Sequence, residues 1–91
     1  MTKLDKKFIA LKLAEECGEL ASICIQYFVF GRKSESKVIG ELGDVLAWIS
    51  VLRLKLDNDL VDQAMLNKLK VIKGIESGKI PVDYQPGITE D

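Results

Sequence analysis

No proline interrupts this 91-residue chain before position 81, and apolar residues return at the three- and four-residue spacing of a helix. From Leu4 to Phe30 the recurring positions are Leu4, Phe8, Leu11, Leu13, Cys17, Leu20, Cys24, Tyr27 and Phe28, which predicts one long helix with Gly18 as its weak point. The stretch GRKSES, Gly31 to Ser36, is the break, and either of its serines can cap the next helix. That second helix is expected from about Glu35 to Leu56, with Val38, Leu42, Val45, Leu46, Ile49 and Leu52 apolar. In KLDNDL, Lys55 to Leu60, any of Asp57, Asn58 or Asp59 can cap a third helix running from about Leu60 to Lys73, with Gly74 and Gly78 punctuating its end. Residues 1–75 therefore read as one helical domain and residues 76–91, which hold both prolines, as an extended tail. The expected fold is all-α: an antiparallel, up-down-up bundle of three helices with short connections.

A chain of this length buries only a modest core by itself, so oligomerisation is expected from size alone. The first helix strengthens that expectation, because Ile23, Ile25, Val29 and Phe30 widen its apolar stripe beyond what one neighbour covers. Thirteen basic residues balance fourteen acidic ones, so net charge implies no nucleic-acid or membrane partner. The N-terminal MTKLDKKFIALKLAEE meets acids before it accumulates an apolar run long enough for a signal peptide or membrane span, which leads us to expect a cytoplasmic protein. Cys17 and Cys24 stand about 10.5 Å apart along a helix, beyond disulfide reach, and read as small buried hydrophobes.

The chain contains no histidine. That excludes Ser-His-Asp and Cys-His catalysis and the histidine-bearing zinc and di-iron sites, so any metal must be held by oxygen. Carboxylates are present in an unusual place. LAEECGELAS, Leu13 to Ser22, carries Glu15, Glu16 and Glu19 within an apolar helix, and IGELGDVLAW, Ile39 to Trp48, carries Glu41 and Asp44. Helix geometry puts Glu16 with Glu19, and Glu41 with Asp44, on common faces, while Glu15 shares Glu19's side at i, i+4. If the two helices are antiparallel neighbours, the pairs face each other and repel unless a cation sits among them. A carboxylate-only site selects Mg²⁺, with Mn²⁺ as an alternative, and Mg²⁺ held this way completes its shell with water and substrate phosphates.

The pattern EExxE followed by ExxD, with the glycines and apolar residues around it, resembles the MazG-like all-α nucleoside triphosphate pyrophosphohydrolases, relatives of the dimeric dUTPases. The similarity runs from about Leu11 to Lys73. It implies that Glu16, Glu19, Glu41 and Asp44 hold Mg²⁺, with Glu15 serving an outer role or a second metal. It further implies that Asn67 and Lys70, with Lys73 one turn on, contact substrate. The implied reaction converts a nucleoside triphosphate to monophosphate and pyrophosphate, with Glu19, and Glu16 beside it, as candidates for orienting or deprotonating the attacking water.

Trp48, one turn after Asp44, can stack on a base or serve the core. Arg32 and Lys33 can reach phosphate or lie in solvent, and Tyr84 can close over a neighbouring site. Many members of that family carry a further helix ahead of the first acidic one. Here only about a dozen residues precede it, which directs expectation towards a homodimer or homotetramer sharing a pocket. Two other functions fit the same residues: a non-enzymatic helical adaptor whose acids form a solvated stripe, and a hydrolase of the same fold acting on another pyrophosphate-containing substrate.

Overall fold

A computed structural model describes residues 4–83. Among them are three α-helices, α1 (Lys6–Cys24), α2 (Glu35–Arg53) and α3 (Asn58–Glu76), a π-helical turn (Ile25–Val29) continuing α1, and no strand. The chain divides between Leu56 and Asp57 into two compact units.

In the first unit, α1 begins where the Asp5 carboxylate accepts a hydrogen bond from the Phe8 amide at 2.8 Å, an N-cap that satisfies one of the helix's free donors. The helix passes through Gly18 unbroken. Its register loosens instead at Ile25–Val29, where the Phe30 amide reaches back five residues to the Ile25 carbonyl at 3.2 Å. Gly31, at φ +69°, then turns the chain out of the helix, and Lys33 adopts a left-handed φ of +63° at a cost of about 1 kcal/mol.

Ser34 takes the N-cap position of α2, but its hydroxyl pairs with that of Ser36 at 3.0 Å rather than with a helix amide. At the other end α2 stops at Arg53, three residues before the expected Leu56. There Leu54, Lys55 and Leu56 donate three residues back, in the tightened pattern that ends many helices.

The two helices are antiparallel. Phe8, early in α1, meets Trp48, late in α2, edge to face at 5.9 Å, whereas Glu19, later in α1, meets Glu41, early in α2. Ile9, Ile23 and Val45 are the buried apolar residues of this seam. Other apolar positions expected inside lie outside it: Leu11 is 65% and Phe28 68% exposed, and Cys17 is exposed while Cys24 is half-buried. Both cysteines are free. Rotation about the helix accounts for the correction, since α2 covers only the face of α1 that holds Ile9 and Ile23, and Leu11 and Cys17 point elsewhere.

The second unit holds α3. Asp57 caps it, its carboxylate accepting from the Leu60 amide at 3.2 Å, so the helix starts at Asn58, two residues before the expected Leu60. It runs through Gly74 to Glu76, past the expected Lys73. Gly78, at φ +83°, supplies the left-handed residue that stops it, with Lys79 and Gly78 donating to the Gly74 and Ile75 carbonyls at 2.9 and 3.1 Å. Gly74 serves packing: a β-carbon there would lie 2.8 Å from Cγ1 of Ile80. Among the described residues no helix is long and apolar enough to cross a membrane. Tyr84 and residues 85–91 of the expected tail lie outside the described residues.

Candidate metal centre

Glu16 lies on the stripe of α1 that carries Ile9 and Ile23, and therefore points at α2 rather than at solvent. Glu41 and Asp44 flank the buried Val45 on the facing side of α2. Glu16, Glu41 and Asp44 each offer one oxygen so that the three lie within 4.8 Å of one another. The Glu19 carboxylate adjoins both Glu16 and Glu41, close enough to share a proton with either. The two acidic pairs expected from sequence thus meet across the hairpin.

Repulsion within the cluster is only partly relieved. Burial pushes the Glu16 carboxyl above its ordinary range, and Glu19, Asp44 and Glu15 push it further. Burial also raises Glu41, followed by Glu19 and Asp44, with Lys37 opposing them. One oxygen of Glu16 and one of Glu41 are shielded from water and have no hydrogen-bond partner among the described residues. Among the described residues no lysine or arginine forms an ion pair with any of the four acids; the Lys12–Glu15 pair, at 3.3 Å, involves the fifth. Glu15 stands outside the converging triad, which separates it from Glu16 despite their adjacency.

Shielded oxygens of Glu16 and Glu41, with an oxygen of the exposed Asp44 within 4.8 Å of them, are the kind of donor set a hard divalent cation takes, and Glu19 adjoins it. Gly18, Gly40 and Gly43 lie on exposed faces of the same two helices, where a β-carbon would meet nothing within 4 Å.

The remaining candidates fall in different places. Trp48 is half-buried with its ring against Phe8, one turn from Asp44. Arg32 lies over the Phe30 ring, 5.1 Å from its centre, whereas Lys33 lines an open groove beside the acids. Asn67, Lys70 and Lys73 belong to α3 in the second unit. There Asn67 accepts from Gln63 at 3.2 Å, and the two lysines line a shallow cleft with Gln63, Leu66 and Leu69. Sequence reading missed Ser22, Gln26 and Lys37, all of which line the groove with Glu19 and Glu41. A signal existed: Ser22 and Gln26 continue the Glu19 face at i+3 and i+7, and Lys37 precedes Glu41 by one turn.

Compared with protein-family models, with curated proteins and with solved structures, the chain matches none.

Proposed function

We infer that the acidic seam of the hairpin binds Mg²⁺ and that the protein is a nucleoside triphosphate pyrophosphohydrolase. The observation that carries the reading is the meeting of Glu16, Glu41 and Asp44, with Glu19 beside them, around shielded oxygens of Glu16 and Glu41 that have no hydrogen-bond partner among the described residues. A stripe of solvated carboxylates needs no such convergence. The resemblance of EExxE and ExxD to the MazG-like enzymes supports the same conclusion independently of the geometry, and supplies the substrate class.

Glu16, Glu41 and Asp44 would hold the ion, with Glu19 as fourth ligand or as the group that faces the attacking water. A bound Mg²⁺ neutralises phosphate charge and acidifies water. Glu19, beside these three acids, is placed to accept the proton of that water. The water oxygen bonds to phosphorus and the α–β anhydride bond breaks: attack at the α phosphorus expels pyrophosphate with the electron pair, attack at the β phosphorus expels the nucleoside monophosphate with it, and the two products are the same.

The reading includes assembly. Phe28, Val29 and Phe30 are each about 60–70% exposed in the single chain, and Ile39 and Leu46 are more than half exposed. So much apolar surface on one small protein marks an interaction site, and a homodimer or homotetramer is the arrangement that closes it. Sedimentation at micromolar concentration tests this: a folded 10.1 kDa monomer would count against it.

The activity test is release of pyrophosphate from a panel of nucleoside triphosphates with Mg²⁺ and with EDTA. Pyrophosphate is expected from at least one of them, only with metal. Glu41→Gln should lower the rate about 10²–10³-fold while melting at the same or a higher temperature in EDTA, and should gain less from Mg²⁺. Orthophosphate as product would overturn the reaction. An equal Mg²⁺-induced shift in parent and variant would overturn the site and favour a non-enzymatic helical adaptor.

A further inference from the structure

We propose that Lys33 and Lys37 form the phosphate-gripping end of the acidic groove, holding the departing pyrophosphate so that the triphosphate lies with its terminal phosphates toward the α1–α2 loop. This assignment rests on the reading of the acids as a metal site.

The groove beside the acids has a volume of about 480 Å³ and is open to solvent. Its α1 wall runs from Glu15 to Gln26, about 16 Å along the helix axis at 1.5 Å per residue. Charge is graded along that length: Glu15, Glu19 and Glu41 lie at one end and Lys33, from the loop, toward the Gln26 end of the wall, while Lys37, in the first turn of α2, stands one turn before Glu41 and near enough to oppose the rise of its carboxyl. Gly18, with open space where a side chain would start, lies among the acids, and beyond Glu19 comes Ser22, whose hydroxyl accepts from the Gln26 amide at 3.0 Å.

Two lysines and three acids share this groove, yet among the described residues neither lysine forms an ion pair with an acid there. A simple anion would be held at one end and repelled at the other, and a simple cation the reverse. A polyphosphate chelated to a divalent cation satisfies both ends: the metal goes to the carboxylates, and the far phosphate oxygens go to the ammonium groups. The N-terminus of α2, from which Lys37 projects, adds partial positive charge at the same end. Lys33 occupies a left-handed conformation in a tight loop, so its Cα is fixed by the turn between two helices.

The test is calorimetric titration of inorganic pyrophosphate in excess Mg²⁺ into the full chain. Lys33→Gly suits the loop, since glycine adopts φ +63° readily and misfolding is thereby avoided. It should weaken Mg²⁺–pyrophosphate binding about 5- to 10-fold, as should Lys37→Gln, for loss of one charge-assisted contact each. Binding of the nucleoside monophosphate product should change less than about 2-fold, and the rise in Tm caused by Mg²⁺ alone should persist. Equal weakening of both products would overturn the orientation. Pyrophosphate binding unchanged in both variants, in a protein that still releases pyrophosphate from a triphosphate, would overturn the assignment and leave the enzymatic reading standing. A parent that neither binds Mg²⁺–pyrophosphate nor hydrolyses any triphosphate would sink both.

Discussion

The α1–α2 hairpin and α3 are built from helices of the same length, 19 residues each, yet they are written by different rules. In α3 the apolar residues gather on one face and the start and stop are locally encoded, by the Asp57 cap and by Gly78. α1 and α2 are apolar over much of their circumference and turn carboxylates toward each other. Their junction holds a π turn, a left-handed lysine and a serine that caps nothing. A helix that obeys every local rule needs one neighbour and little else. Departures from such rules often mark functional places, and here they collect at the α1–α2 junction, which lines the groove through Gln26 and Lys33.

Core substitution gives the largest test of this contrast. Ile9 is fully buried in the hairpin seam, so Ile9→Ala should cost about 3 kcal/mol in chemical denaturation. Leu66 on α3 is 49% exposed in the single chain, and Leu66→Ala should cost less than about 1 kcal/mol. A cost at Leu66 equal to that at Ile9 would break the contrast, by showing that assembly buries the α3 face as thoroughly as the seam.

Capping gives the next. Asp57→Ala removes a bond to the Leu60 amide and should cost about 1 kcal/mol, whereas Ser34→Ala removes a hydroxyl that caps no amide and should cost only about 0.3 kcal/mol. Thermal melts of the two variants against the parent decide it. Comparable losses would mean that the N-terminus of α2 is as locally specified as that of α3.

The smallest effect is a drift with pH. Glu16 and Glu41 are raised above the ordinary 4.5, so the folded protein holds protons that the unfolded chain gives up. Their contribution to stability is therefore fully present below 4.5 and lost as pH rises through the raised values. In EDTA, the Tm of the parent relative to Glu16→Gln/Glu41→Gln should fall between about pH 4.5 and 7, and Mg²⁺ should restore it near neutral pH. A difference in Tm that stays flat across that range would remove the electrostatic strain from the seam.

Much of this was legible in the residues. The helix count, the break at Gly31–Ser36 and the turn before α3 come from periodicity and turn chemistry, which act over a few residues. The pairing of Glu16 with Glu19 and of Glu41 with Asp44 comes from helix geometry alone. The π turn was not legible, because nothing in IQYFV distinguishes a bond five residues back from one four back. Nor was the choice of Asp57 among three capping candidates, which depends on backbone angles at the turn.

By itself the sequence determined an all-helical chain, the restriction of any bound metal to oxygen donors by the absence of histidine, and two acid pairs each confined to one helix face. The tertiary structure decided which acids meet: Glu16 within the triad and Glu15 outside it, Lys33 on the groove and Arg32 against Phe30. A period of 3.6 residues sets which side chains share a face. The rotation and register of one helix against another are set by packing, here of Ile9, Ile23 and Val45, whose identities carry no label saying which neighbour they will meet.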